Sequence, residues 1–245
     1  MNPVIELLQS HRSIRKFKPE PVAEEMIRSI VAAAQCASTS NFVQAYSIIR
    51  VKDPAVRKQI AELAGPQPWV EACPLFLVFC ADLNRSELAC RMNDREMVQG
   101  YTEQFIIATV DVALAAQNTM IAAESLGLGG VYIGGIRNNP QKICDLLRIP
   151  DHVYPVFGMC LGYPNDDPQR KPRLPLEAVL KTDRYTDGED AARIGAYDQV
   201  CREYYIKRDG SARDDTWTQQ ISEMMGKAQR PHMKGFVQGK GFDLK

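Results

Sequence analysis

Apolar residues at Val4, Ile5, Leu7 and Leu8 recur at helical spacing and predict a first helix running up to the basic stretch His11-Arg12-Ser13-Ile14-Arg15. Pro19 and Pro21 interrupt the chain soon after, so the basic stretch is expected on a helix end or loop. From Ala23 onward, Met26, Ile27, Ile30, Val31 and Ala34 mark an amphipathic helix ending near the polar run Ser38-Thr39-Ser40-Asn41. Residues 47–51 (SIIRV) predict a strand, residues 54–63 a proline-initiated helix, and PLFLVFCAD at 74–82 a buried strand. Residues 102–126 contain no Pro or Gly, are rich in Ala and are apolar nearly all round, which predicts a helix buried on most of its faces. The run GLGGVYIGG at 127–135 places a Val-Tyr-Ile strand among five glycines, followed by a helix started at Pro140 and a strand over 154–162. From Leu176 the chain is more polar, with helical stretches near 189–206 and 214–227 and a linker-like end, GFVQGKGFDLK. This mixture, without internal repeats, predicts an α+β or three-layer domain with a peripheral C-terminal extension.

A chain of 245 residues with 45% hydrophobic side chains can bury a sizeable core, which excludes a disordered or fibrous protein. Thirty basic residues balance thirty acidic ones, so no net field draws nucleic acid or an anionic membrane surface, and a general nucleic-acid binder is excluded. The charge-free part of the most apolar segment, Val112 to Ala123, falls short of the roughly 18 residues that suggest a membrane span. The start MNPVIELLQSHR carries Glu6 and lacks a basic opening before an apolar core, unlike a secretion signal. A soluble cytoplasmic protein is expected. Seven cysteines without a CxxC pair, mostly in apolar surroundings, are expected as reduced, buried small hydrophobes. Three widely separated histidines and no HExxH motif argue against a metal site.

The glycine run is not a dinucleotide fingerprint: GxGxxG from Gly127 would need glycine where Tyr132 stands, and the run leads from a helix into a strand rather than the reverse. Two readings stay open for it. Gly127 can cap a helix while the others permit close strand packing, or Gly134 and Gly135 can let backbone N–H groups approach a planar ligand. The basic stretch offers two guanidinium forks and a hydroxyl, a set suited to a phosphate and polar ring atoms, and Lys171-Pro172-Arg173 adds a second cationic pair. Either cluster can equally be a solvated surface, and Ser38-Thr39-Ser40-Asn41 can be simple helix-end hydroxyls.

ELLQSHRSIRKF from Glu6 to Phe17, SIIRVKD, FCADLNR, AAQNTMIAAESLGLGGVYIGGIRNN, FGMCLGYP, KPRLP and EYYIKRDGSARDDTW together resemble the NADPH-dependent, FMN-containing nitroreductase and flavin reductase family over essentially the whole chain. The resemblance implies an α+β, nitroreductase-like fold with a central mixed sheet and surrounding helices, in an intertwined homodimer with FMN at the subunit interface. It implies an FMN-binding core over 1–175 and an extension over 176–245 that contributes dimer contacts and NADPH binding. His11, Arg12, Ser13 and Arg15 match the segment that contacts the FMN ribityl-phosphate and the pyrimidine side of the ring, and Lys171 and Arg173 match a second cationic contact. Ser38, Thr39, Ser40 and Gln67 match polar FMN neighbours, and Tyr132, Ile133, Gly134 and Gly135 match the strand and turn against the isoalloxazine. Arg208, Arg213 and Arg230 match arginines that meet the NADPH 2′-phosphate. Asp214 follows Arg213 where relatives can carry a second Arg, which implies a weaker grip on that phosphate.

The implied activity is two-electron, ping-pong reduction of nitroaromatics and quinones by NADPH. Arg15 is the candidate cation at the N1–C2 carbonyl edge of the flavin. No side-chain nucleophile or general base is required. The alternatives are a flavin reductase that supplies reduced FMN to a partner monooxygenase, and a non-catalytic flavin-binding protein.

Overall fold

The computed structural model describes residues 2–208 and 213–245. These fall into two compact units: one holds the chain up to Pro168 together with His232–Lys245, the other Gln169–Pro231. Whereas the tail from 176 has the sequence character of a single extension, its last fourteen residues belong to the first unit.

In chain order the first unit contains α1 (Pro3–Ser10), α2 (Glu24–Gln35), β1 (Tyr46–Arg50), α3 (Pro54–Leu63), α4 (Pro68–Ala72), β2 (Leu75–Asp82), α5 (Asn84–Arg91), α6 (Thr102–Ser125), β3 (Gly129–Ile133), α7 (Pro140–Leu147) and β4 (Val153–Gly162). The second unit contains α8 (Leu176–Val179), α9 (Asp190–Ile206) and α10 (Trp217–Met225), after which α11 (Met233–Gly239) returns to the first. Local chemistry sets several boundaries. Asn2 and Asp53 accept a backbone N–H of the first turn of α1 and α3, each of which opens on a proline. Gly127, at φ +80, ends α6.

The sheet order is β1-β2-β4-β3. Its pairings are antiparallel throughout, which corrects the expectation of a mixed sheet; the parallel pairing among the described residues is an isolated bridge of Ser13 with Gly130. All eight residues of β2 are buried because helices cover both faces of the sheet. Leu75, Leu77, Phe79 and Ala81 point into a core shared with α2 and α6, while Phe76, Val78 and Cys80 point into a second core against α3 and α7. This alternation makes a three-layer α+β unit.

Three expectations change in detail. Helix α6 is long and apolar enough to cross a membrane by length and composition, yet it packs on the sheet and buries Asp111. It is not covered on all sides within the chain: Ile106, Val110 and Leu114, spaced four apart, are 47, 48 and 43% exposed. The cysteines are all free, but Cys36 is exposed and Cys90 half-buried, because both lie where helices end at the surface. The linker-like end is ordered structure. Val237 and Phe242 are buried, and the Phe242 ring packs edge-on against Tyr154 at 5.1 Å and Phe105 at 6.1 Å. The glycines that made this stretch look like a linker serve tight geometry, as at Gly241, whose φ is +86 and whose absent Cβ would meet the His152 ring.

Removing the Phe242 ring leaves a cavity between α6 and β4. Phe242→Ala is expected to cost about 3–5 kcal/mol in denaturant unfolding. A loss below about 0.5 kcal/mol, typical of a surface substitution, would return the segment to a dispensable tail.

Candidate functional site

The basic stretch leaves the end of α1 and lies against the start of β3. Ser13 bridges Gly130, Ile14 donates its N–H to the Gly130 carbonyl at 2.9 Å, and a Cβ at Gly129 would come within 2.5 Å of the Ile14 side chain. The apolar Ile14 is thus the anchor, and it turns Ser13 and Arg15 away from the core. Each flanking cation has its own support. His11 Nδ1 lies 2.6 Å from Glu124 on α6, and Glu124 is largely buried. Arg12 is paired with Asp167 through Nη2 and donates from Nη1 to the Ser10 carbonyl at 3.2 Å, while its Nε is buried with no hydrogen-bond partner among the described residues. The Arg15 guanidinium lies over the Trp69 ring, 5.7 Å from its centre.

Trp69 ties Arg15 to a second group of expected residues. Its indole N–H donates to Gln67 at 3.1 Å, and the Gln67 amide donates to the Ala64 carbonyl at 2.9 Å. Gly135 packs here, where a Cβ would overlap both the Ala64 oxygen and the Gln67 nitrogen. Protein packing alone therefore requires glycine at 135, as it does at Gly129 and Gly130. Gly134 differs: a Cβ there would meet only the far end of Arg137, at 3.3 Å, so this glycine keeps open space on one side. Tyr132 and Gly134 are half-buried and Ile133 is buried. Burial, reinforced by the charge of Glu124, raises the Tyr132 phenol to about 12, so it stays protonated at neutral pH.

Ser38, Thr39 and Ser40 sit on a loop held from the middle of α6. Asp111 is fully buried and accepts the backbone N–H groups of Ser40 and Ala45, both at 3.0 Å. Between those two anchors, Asn41, Phe42 and Gln44 all have positive φ, an uncommon conformation for residues with a Cβ, and Phe42 is 82% exposed at the tip. The two carboxylates Asp111 and Glu124 were not among the residues expected from sequence. Their signal was a charge inside an otherwise apolar helix.

The remaining candidates lie in the second unit. Lys171 and Arg173 are exposed, and their segment is fastened to α9 by the Tyr197 hydroxyl, which donates to the Pro172 carbonyl at 3.0 Å. Arg208 and Arg230 are half-buried, and Gly210 between Arg208 and Arg213 lies outside the described residues. Arg213 is within 3.4 Å of Asp215 and donates to Gln220 at 2.8 Å. Asp214, the residue after Arg213, makes a two-pronged pair with Arg202 at 2.5 and 2.6 Å.

Within the first unit, His11, Arg12 and Arg15 form a cationic frame with a buried donor, a protonated phenol at Tyr132 and an open glycine at Gly134, on and beside β3. Comparison with known proteins matches the model of the nitroreductase family over residues 8–163 and that of the nitroreductase family, C-terminal domain, over 171–245. The chain is 45% identical to the oxygen-insensitive NADPH nitroreductase of Salmonella typhimurium over 99% of both chains. It is 44% identical to the FMN reductase (NADPH) of Bacillus subtilis, again over 99% of both. Among solved structures, the NADPH:FMN oxidoreductase from Vibrio harveyi, complexed with NAD+, superimposes with a TM-score of 0.91 at 38% identity, covering 100% of both chains.

The hydroxyl loop depends on Asp111 for both its anchors. In Asp111→Asn the amide keeps one acceptor oxygen and one backbone N–H loses its partner, so a loss of about 1–3 kcal/mol in unfolding free energy is expected. Unchanged stability would mean that the loop holds its positive-φ conformation without the carboxylate.

Proposed function

The chain belongs to the nitroreductase family, and from that premise we propose that it is an FMN-dependent oxidoreductase that uses NADPH to reduce nitroaromatics and quinones. Near-complete alignment with an NADPH nitroreductase and an FMN reductase (NADPH) supports the activity and both cofactors. The observation in the molecule that carries the reading is the buried Arg12 Nε, a charged donor in a cationic segment with no hydrogen-bond partner among the described residues. A phosphate oxygen satisfies such a donor, so the residues fit the flavin.

In this reading His11, Arg12 and Ser13 hold the phosphate, with Lys171 and Arg173 adding charge. Glu124 orients the His11 ring, and Asp167 and the Ser10 carbonyl hold the two Nη groups of Arg12, which leaves its Nε for the ligand. Arg15, steadied on Trp69, supplies positive charge at the pyrimidine edge of the flavin. Ser38, Thr39, Ser40 and Gln67 contribute polar contacts, and Tyr132, Ile133, Gly134 and Gly135 present backbone to the ring, with Gly134 the position that leaves room for it. FMN, when bound, would supply the two-electron redox chemistry that links the nicotinamide to the acceptor. The protein's own work is to bind, orient and balance charge. Arg208, Arg213 and Arg230 are the proposed contacts to the NADPH 2′-phosphate.

We also infer a homodimer. Among the described residues the stripe Ile106, Val110 and Leu114 on α6 is left about half exposed, and α1, which contacts α6, has no buried residue despite its apolar Val4, Ile5 and Leu8. A cytoplasmic location accords with seven unpaired thiols. A second reading, in which free FMN is the physiological acceptor for a partner monooxygenase, draws support from the relative named as an FMN reductase. Turnover with free FMN against turnover with a nitroaromatic, at equal NADPH, separates the two.

Mass spectrometry of cofactor released from purified protein is expected to give FMN; stoichiometric FAD would overturn the assignment. Arg15→Ala removes a charge-assisted contact of about 1.5–3 kcal/mol, seen as weaker FMN retention and a lowered flavin potential. Arg208→Ala is expected to raise the KM for NADPH by a similar free energy while leaving NADH turnover nearly unchanged. Equal losses with both nucleotides would leave Arg213 and Arg230 as the remaining candidates.

A further inference from the structure

The second unit gathers two of the proposed phosphate-binding cations on one aromatic ring. Tyr205, near the end of α9, is buried at 6% exposure in a small cluster with Tyr197 and Cys201. The guanidinium carbon of Arg213 lies 4.3 Å from the centre of its ring, and Lys171 Nζ lies over the same ring at 5.9 Å. These distances suit attraction between a cation and the negative face of an aromatic ring. Arg213 is bound to Tyr205 in two further ways. Its backbone N–H donates to the Tyr205 carbonyl at 3.1 Å, and its Nη2 donates to Gln220 Oε1, which also accepts the Tyr205 hydroxyl at 3.1 Å. Gln220 in turn donates from Nε2 to the Thr216 carbonyl at 3.1 Å, which fixes the orientation of its amide.

We propose that Tyr205 is a positioning residue that seats both Lys171 and Arg213, so that a single ring sets the retention of the flavin phosphate and the preference for NADPH over NADH. The proposal rests on the roles given above to those two cations. A ring suits this task better than a carboxylate. A carboxylate that held Arg213 would compete with the incoming phosphate for its charge, whereas an aromatic face restrains the guanidinium without neutralising it. Asp215, at 3.4 Å, pairs with Arg213, and the arginine of this pair is about half exposed and hence screened. Long flexible cations lose rotamer freedom when they grip a phosphate, and restraining them on Tyr205 in the folded protein moves that loss out of the binding step.

The test keeps the shape of the ring and changes its charge distribution. Tyr205→Phe removes only the hydroxyl, and pentafluorophenylalanine incorporated at the same position reverses the quadrupole at nearly the same size, so both proteins retain the fold. FMN dissociation constants and KM values for NADPH and NADH are measured for each, and for Lys171→Ala and Arg213→Ala as checks on the premise. Relative to Tyr205→Phe, the fluorinated protein is expected to show a KM for NADPH and an FMN dissociation constant each raised about threefold to tenfold, the range of a partly desolvated cation–ring contact, with KM for NADH unchanged. In an Arg213→Ala background the NADPH effect is expected to vanish, and in a Lys171→Ala background the FMN effect. If Lys171→Ala and Arg213→Ala each shift their own constant but fluorination shifts neither, Tyr205 is not the seat and the proposal fails while the cation roles stand. If the two alanine variants shift nothing, those roles fail and the proposal with them. A rise in both nucleotide KM values together would mark a merely structural ring and also overturn it.

Discussion

A helix of 24 residues with almost no polar side has to be covered, and much of the first unit is organised around covering α6. The sheet and α2 cover one side of it, burying Ala108, Val112, Ala115, Ala116, Met120 and Ala123. The charges that interrupt its apolar surface are used rather than merely tolerated. Asp111 holds both ends of the hydroxyl loop, and Glu124 orients His11. One rigid element therefore sets the positions of two otherwise separate parts of the candidate site, and its remaining exposed stripe is what a second subunit would cover.

Much of the fold was legible in the sequence because it follows local rules. The continuous apolar run of β2, the prolines that open α3 and α7, and the uninterrupted span of α6 each appear within a residue or two of where pattern places them. Helix α5 escaped because its sequence, NRSELACR, has Leu88 as its one large aliphatic residue and so carries no apolar stripe. The C-terminal segment escaped for the opposite reason: its glycines suggest a linker, and the aromatic partners of Phe242 are more than eighty residues away in the chain. The antiparallel character of the sheet is a matter of long-range pairing on which periodicity is silent.

The candidate site divides in the same way. Cations and hydroxyls in a short run, such as His11 to Arg15, are visible in sequence, and their resemblance to a family gave them roles. The groups that hold them are not visible, since Glu124 lies 113 residues from His11 and Trp69 meets Arg15 only once α4 is folded. Glycines show the limit most clearly. Gly134 and Gly135 look equivalent on paper, yet Gly135 is fixed by the Ala64 carbonyl and Gln67 amide, and only Gly134 leaves space for a ligand.

If α6 is the element that joins fold, site and assembly, its exposed stripe must be buried in the active protein. Sedimentation of the FMN-loaded protein at micromolar concentration, beside a Val110→Glu variant, tests this most directly. The wild-type protein is expected to sediment as a dimer of 27.5 kDa chains, and the variant to be monomeric and to lose its FMN. A 27.5 kDa wild-type species that retains FMN and activity, or a variant that dimerises and holds flavin as well as the wild type, would contradict it.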